Sequence, residues 1–286
     1  MKKYLKHILL VVFCPLLFLS LHAEKKDSIV VNKSNFTVGL NYLSNKLYMG
    51  RIDSANIKCL TPSIGFYHKS GLHVGASMSY QLDRGLSKID EIKIDGGYDF
   101  NLNDNLNGGL TVEKYFFNAK SSALNSGNSF GAGSNLSYDL DIVTLNVGAD
   151  LALGSYTDIF INAGFSHFFE FDKFSVEPSF LFNAGTLNFY NAYLIAGKSH
   201  KTGKGKKKAT TITYSIEDAS RFKILDYEIS VPVSYSFHNF KFDLIPTYYI
   251  PVSPATIIST VSSNKTTVEE VISNHFIIEL GVSYEF

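Results

Sequence analysis

Few side chains in this sequence have the types for chemistry, and the closest-set are Ser273 and His275, two apart, with Glu269 and Glu270 just upstream. A serine, a histidine and a carboxylate are the parts of a nucleophilic hydrolase, in which the imidazole takes the hydroxyl proton and the carboxylate orients the ring. No family motif surrounds these four, so hydrolysis stands as an alternative and no catalytic residue is assigned. His73, His167, His200 and His238 are isolated, with no H-x-x-x-H spacing and no paired cysteines. Neither a metal nor another cofactor is expected on such a pattern.

A larger set is ionisable and recurs at alternating positions: Glu91, Lys93, Asp95, Asp99, Glu113, Asp150, Glu177, Asp226, Glu228, Lys241, Asp243 and Glu279. Carboxylates clearly outnumber lysines. Lining one aqueous lumen, they would favour cations over anions; pairing across a filled interior, they would only solvate it. A third set, Lys198, Lys201, Lys204, Lys206, Lys207 and Lys208, is a basic run interspersed with glycine. It has the chemistry to touch lipopolysaccharide phosphates or an acidic polymer, or it is a solvated loop tip.

The elements that must position these residues are strands. Phe276, Ile278, Leu280, Val282, Tyr284 and Phe286 alternate with Glu279, Gly281, Ser283 and Glu285, a period of two with one oily face. Leu72, Val74, Ala76, Met78, Tyr80 and Leu82 alternate in the same way with His73, Gly75, Ser77, Ser79 and Gln81. Such segments recur about twelve times, with short polar turns on one side and longer connections on the other. The longest connection runs roughly from Gly185 to Arg221. Phe171-Asp172-Lys173-Phe174 and Phe237-His238-Asn239-Phe240 read as two-residue hairpins, and in each the oily parity switches from odd to even. Pro62, Pro178, Pro232 and Pro246 fall inside predicted strands, where each removes a ladder donor, so bulges or shifted boundaries are expected there.

Residues 1–23 have a basic head at Lys2, Lys3 and Lys6, an apolar run from Ile8 to Leu21 and a Leu21-His22-Ala23 cleavage site, the pattern of a signal peptide. Phe13 before Cys14 argues against lipidation. Cleavage removes three of 26 basic residues and none of the 26 acidic ones, leaving 23 against 26, about −3. Nucleic acid is therefore not an expected partner. Only Cys59 remains after cleavage, which excludes an intramolecular disulfide framework. After residue 23 no run of apolar residues is long enough for a helical span.

The signal peptide, the alternating segments and the terminal F-I-I-E-L-G-V-S-Y-E-F together resemble the integral outer-membrane β-barrel proteins of Gram-negative bacteria. The resemblance implies an all-β fold, a transmembrane antiparallel up-and-down barrel of about twelve strands, in the outer membrane. On it, residues 24–34 are a periplasmic extension and 35–286 the barrel. Leu280, Val282, Tyr284 and Phe286 are then an insertion signal met by barrel-insertion machinery, and outer-membrane lipids and lipopolysaccharide are partners. The activity it best accommodates is a porin-like channel or transporter for a small solute. The alternatives are an outer-membrane hydrolase and a pore-less barrel that presents its long loops for adhesion or assembly.

Overall fold

The computed structural model describes residues 33–286 apart from 53–56, 83–88, 120, 122, 199–200, 203–209 and 262–263. The expected signal peptide and nearly all of the 24–34 extension lie outside the described residues, as do Lys204, Lys206, Lys207 and Lys208.

Alternating oily and polar side chains make strands, and the strands close into a ring. In chain order they are β1 (Asn35–Leu43), β2 (Leu47–Tyr48), β3 (Arg51–Ile52), β4 (Cys59–Tyr67), β5 (Leu72–Gln81), β6 (Ile89–Asn101) and β7 (Leu106–Phe117). Then come β8 (Asn128–Asp139), β9 (Thr144–Gly154), β10 (Thr157–Ser166), β11 (Phe169–Phe171), β12 (Phe174–Val176) and β13 (Ser179–Gly185). The one described helix, α1 (Asn188–Lys198), is followed by β14 (Lys201–Thr202), β15 (Thr210–Ile216), β16 (Lys223–Ser230), β17 (Val233–Phe237) and β18 (Phe240–Pro251). Last are β19 (Thr256–Val261), β20 (Asn264–Glu269) and β21 (His275–Glu285).

Fifteen of these strands form one antiparallel sheet, closed where β21 pairs with both β18 and β1. Three crossings are each broken into two pieces, β10 with β11, β12 with β13 and β16 with β17, so the wall is a twelve-stranded barrel. Short turns join strands at one end, including the two expected hairpins, where Phe171 pairs with Phe174 and Phe237 with Phe240. Their first turn residues, Asp172 and His238, take the positive φ that a two-residue hairpin requires. Long connections gather at the opposite end.

The outer face is a belt of large apolar side chains, among them Phe36, Ile64, Val74, Ile94, Val112, Phe165, Phe242 and Leu280, each more than 40% exposed. Only a hydrocarbon surround makes such a surface favourable, which makes this an outer-membrane type of barrel. Leu280, Val282, Tyr284 and Phe286 follow this outward parity along β21 and beyond it.

The prolines follow the shifted-boundary half of the expectation at Pro178 and Pro232, which fall at strand breaks, and not the bulge half. No residue is inserted at Pro178, Pro232 or Pro246, and the register runs unchanged across each. Their missing N–H groups break the ladder, but their carbonyls stay in it. Pro178 accepts from His167 N–H at 3.2 Å, Pro232 from Glu177 N–H at 3.0 Å and Pro246 from Val231 N–H at 3.2 Å. The breaks thus line up as a seam across four neighbouring crossings. At Pro62 pairing with β1 is intact and the register to β5 is unshifted.

True bulges lie elsewhere, all at the long-loop end. Asp90 is the extra residue of β6 opposite Ser79 and Tyr80, Ser129 that of β8, and Leu225 that of β16 opposite Asn183 and Ala184. A bulge re-aims a side chain. Here it sends Asp90 and Leu225 into buried positions at the barrel mouth.

Candidate functional site

The lumen has two unlike halves. Towards the short turns its wall is built of cross-strand pairs in which an inward glycine faces an inward polar side chain. Gly75 pairs with Asp95, Gly97 with His73, Gly109 with Asp99 and Asn135, Gly133 with Asp150, Gly148 with Asn162, and Gly281 with Asp243. In each case the partner lies over the glycine: a methyl group on Gly75 would meet the Asp95 carboxylate at 2.8 Å, and one on Gly133 the Asp150 carboxylate at 2.6 Å. The polar side chains therefore lie flat along the wall.

At the long-loop end the mouth is filled. The β2–β3 hairpin folds inward, its turn at Met49 and Gly50 both with positive φ. A Cβ on Gly50 would stand 2.8 Å from Cβ of the inward Asp226, so only glycine lets the hairpin tip reach the wall. Tyr48 packs edge-on against the inward Phe160 and against Phe189 of α1, with ring centroids 5.9 and 4.9 Å away. Leu124, Leu187, Phe189, Leu194, Leu225 and Ala255 complete a buried apolar cluster drawn from four different connections and the β16 bulge.

Charged groups fasten this plug at three places. Asp158, fully buried at the start of β10, accepts from Thr186 Oγ1 at 2.7 Å and from Asn188 N–H at 2.8 Å, capping α1 where the helix dipole is positive. Lys46 bonds the bulged Asp90 at 2.8 Å and approaches Glu91 at 3.5 Å. Burial pulls the Lys46 ammonium down, but Glu91 and Asp90 outweigh it and leave it above its ordinary value. Arg51, only 3% exposed, pairs with the 8% exposed Glu270 at 3.3 Å and donates to the carbonyls of Met49 and Ser253 at 3.2 and 3.0 Å. Its guanidinium also lies 5.8 Å from the Tyr190 ring centroid.

The twelve predicted lumen residues all lie on barrel strands or, for Glu177, at a strand break, but they do not form one ring. Lys93 bridges Asp95 at 3.3 Å and Glu113 at 3.0 Å, and Glu113 also accepts from Tyr115 Oη. His73 approaches Asp99 at 3.2 Å, Lys241 pairs with Asp243 at 3.2 Å, and Glu177 accepts from Ser166 at 2.9 Å. Asp226 and Glu228 share the Asn183 amide, each at 2.7 Å, while Asp150 accepts from Asn162 at 3.3 Å. Glu113 and Asp150 flank a cavity of about 330 Å³ beneath the plug, walled by Thr111, Asn135 and Asn162 and roofed by Tyr48.

The hydrolase residues are not assembled. Ser273 and His275 make no hydrogen bond to each other, and Glu270 is committed to Arg51 and to the Ala255 N–H at 2.9 Å. Among the described residues no group of three metal-binding side chains exists. Lys198 ends α1 and Lys201 opens β14, and the rest of the basic run lies outside the described residues.

Lys46, Tyr48, Gly50, Arg51 and Asp90 are the functional residues that alternation could not reveal. The one sequence signal for them is Met49-Gly50-Arg51, a glycine and a cation between the apolar Leu47-Tyr48 and Ile52.

No family model matches the chain, and no curated protein matches it in sequence. Solved structures similar to it include the KdgM porin, at 10% identity over 87% of this chain and 99% of that one, with a TM-score of 0.44. A NanC porin is similar at 11% identity over 87% and 98%, with a TM-score of 0.47. LpxR from Salmonella typhimurium is similar at 8% identity over 87% and 99%, with a TM-score of 0.44. At these values they transfer no activity to this chain.

Proposed function

We propose that the protein is a porin-like outer-membrane channel for small hydrophilic solutes, with a cation-favouring lumen whose mouth is closed by the plug in this conformation. The glycine-faced wall carries the reading. A barrel of twelve strands filled by its own side chains would put large residues at its inward positions, whereas here six of them, Gly75, Gly97, Gly109, Gly133, Gly148 and Gly281, are glycines each overlaid by a cross-strand polar group. That arrangement keeps space for water. The excess of inward carboxylates over Lys93 and Lys241 sets the sign of the selectivity. Insertion is assigned to the outward Leu280, Val282, Tyr284 and Phe286, which meet lipid and the barrel-insertion machinery.

A second reading, the pore-less barrel that displays its loops, is favoured by the filled mouth. Planar-bilayer recording separates the two. Wild type is expected to open rarely, and an Arg51→Met variant to open in discrete steps with a reversal potential favouring potassium over chloride. Silence from that variant, with heat-modifiable mobility showing it folded, overturns the channel.

A further inference from the structure

Beyond the barrel, β14, β15, β19 and β20 form a separate four-stranded sheet in that order, so among the described residues β20 is a free edge. All six of its residues, Asn264 to Glu269, are exposed, and Val268 is 59% exposed. Edge strands present unpaired N–H and C=O groups to any strand that can match them. Which groups are free is settled by one bond. Glu270 N–H donates to the Ala255 carbonyl at 2.8 Å, continuing the ladder in which Glu269 faces Thr256. Backbone groups alternate in direction along an antiparallel strand. The even residues Thr266 and Val268 therefore point towards β19, and Lys265, Thr267 and Glu269 offer their N–H and C=O groups outward.

We propose that this edge is a docking site for β20 of a second copy of the chain, paired antiparallel about a twofold axis through Thr267. In a self-pairing, outward groups meet outward groups only if the axis passes through a residue and not between two, and an axis at Thr266 or Val268 sets Lys265 or Glu269 against the uncharged Thr267. An axis at Lys265 sets lysine against lysine, and one at Glu269 sets glutamate against glutamate. The axis at Thr267 places Lys265 opposite Glu269 of the second copy, and Glu269 opposite its Lys265. It also sets Thr266 against Val268, a β-branched pair of the kind that packs well across strands. Three hydrogen-bonded pairs exchange two bonds each, about six in all. Among the described residues neither Lys265 nor Glu269 has an ion-pair partner. The site is independent of what the lumen conducts.

The full chain in lipid vesicles tests this with four variants. Thr266→Cys with Val268→Cys places thiols at the closer, non-hydrogen-bonded pairs, where Cβ separations suit a disulfide. Mild oxidation is expected to give a dimer linked between positions 266 and 268, above the background that wild type sets with its native Cys59. Lys265→Glu and Glu269→Lys, each added to the thiol variant, set like charges together and are expected to cut the dimer yield about tenfold. Combining them restores Lys-against-Glu pairing with the signs exchanged, and with it the yield. A dimer indifferent to the single reversals, or a double reversal no better than either single, overturns the register. No link between positions 266 and 268 overturns the docking site itself.

Discussion

Arg51→Met removes one guanidinium and should loosen the whole plug. The Arg51–Glu270 pair joins the first long connection to the last across 219 positions and is almost wholly out of solvent. Breaking a buried pair on one side costs about 3–5 kcal/mol, because the remaining charge stays desolvated. Here the remaining Glu270 keeps the Ala255 N–H, which places the loss near the lower figure. At about 1.4 kcal/mol per tenfold, the open population should rise by roughly two decades. Single-channel recording in planar bilayers reads it as open probability, and limited proteolysis of the long connections reads it independently. Replacing both partners, Arg51→Met with Glu270→Leu, leaves no stranded charge and should restore closure, since apolar replacement of such a pair is often neutral. If the single variant opens no more than wild type, or the double variant is as open as the single, the pair is not what holds the plug.

Gly50→Val meets both a left-handed backbone and the Asp226 side chain 2.8 Å from its Cβ, and should also open the channel, by about 2 kcal/mol or more, in the same recordings. Alkaline pH should do so without mutation. Lys46 is raised above its ordinary 10.5 despite its burial, by Glu91 and Asp90, and the Tyr48 phenol is raised above 10.0 by burial and by Asp158. For a raised group the stabilisation is complete below the ordinary value and lost as pH climbs through the folded one, so open probability should rise above about pH 10. Val74→Arg puts a charge on the lipid face of β5 and should lower unfolding stability in vesicles by about 2–4 kcal/mol, whereas His73→Arg, on the lumen side, should cost far less.

The barrel was legible because hydrocarbon enforces a rule at every second residue. Leu72 to Leu82 and Phe276 to Phe286 carry that rule without interruption, and the hairpins at Asp172-Lys173 and His238-Asn239 fix its phase. Strand boundaries fall at Pro178 and Pro232, as one half of the proline expectation had it, and bulges are absent there for a local reason. A strand can lose a donor and keep its register when the same residue's carbonyl still accepts from the next strand, as at Pro178, Pro232 and Pro246. The plug was illegible because it obeys no period. It rests on single contacts between distant positions, Arg51 with Glu270 and Lys46 with Asp90, and on bulges at Asp90 and Leu225 that break alternation where it carried the prediction.

The mating of β1 with β21, from Thr37 against Glu285 to Leu43 against Glu279, imposes an order in time. The stretch synthesised early has to wait, its greasy side bare, for one made some 240 residues later. Until that partner arrives, the bare apolar side is an aggregation hazard that the ring closure itself builds into the chain.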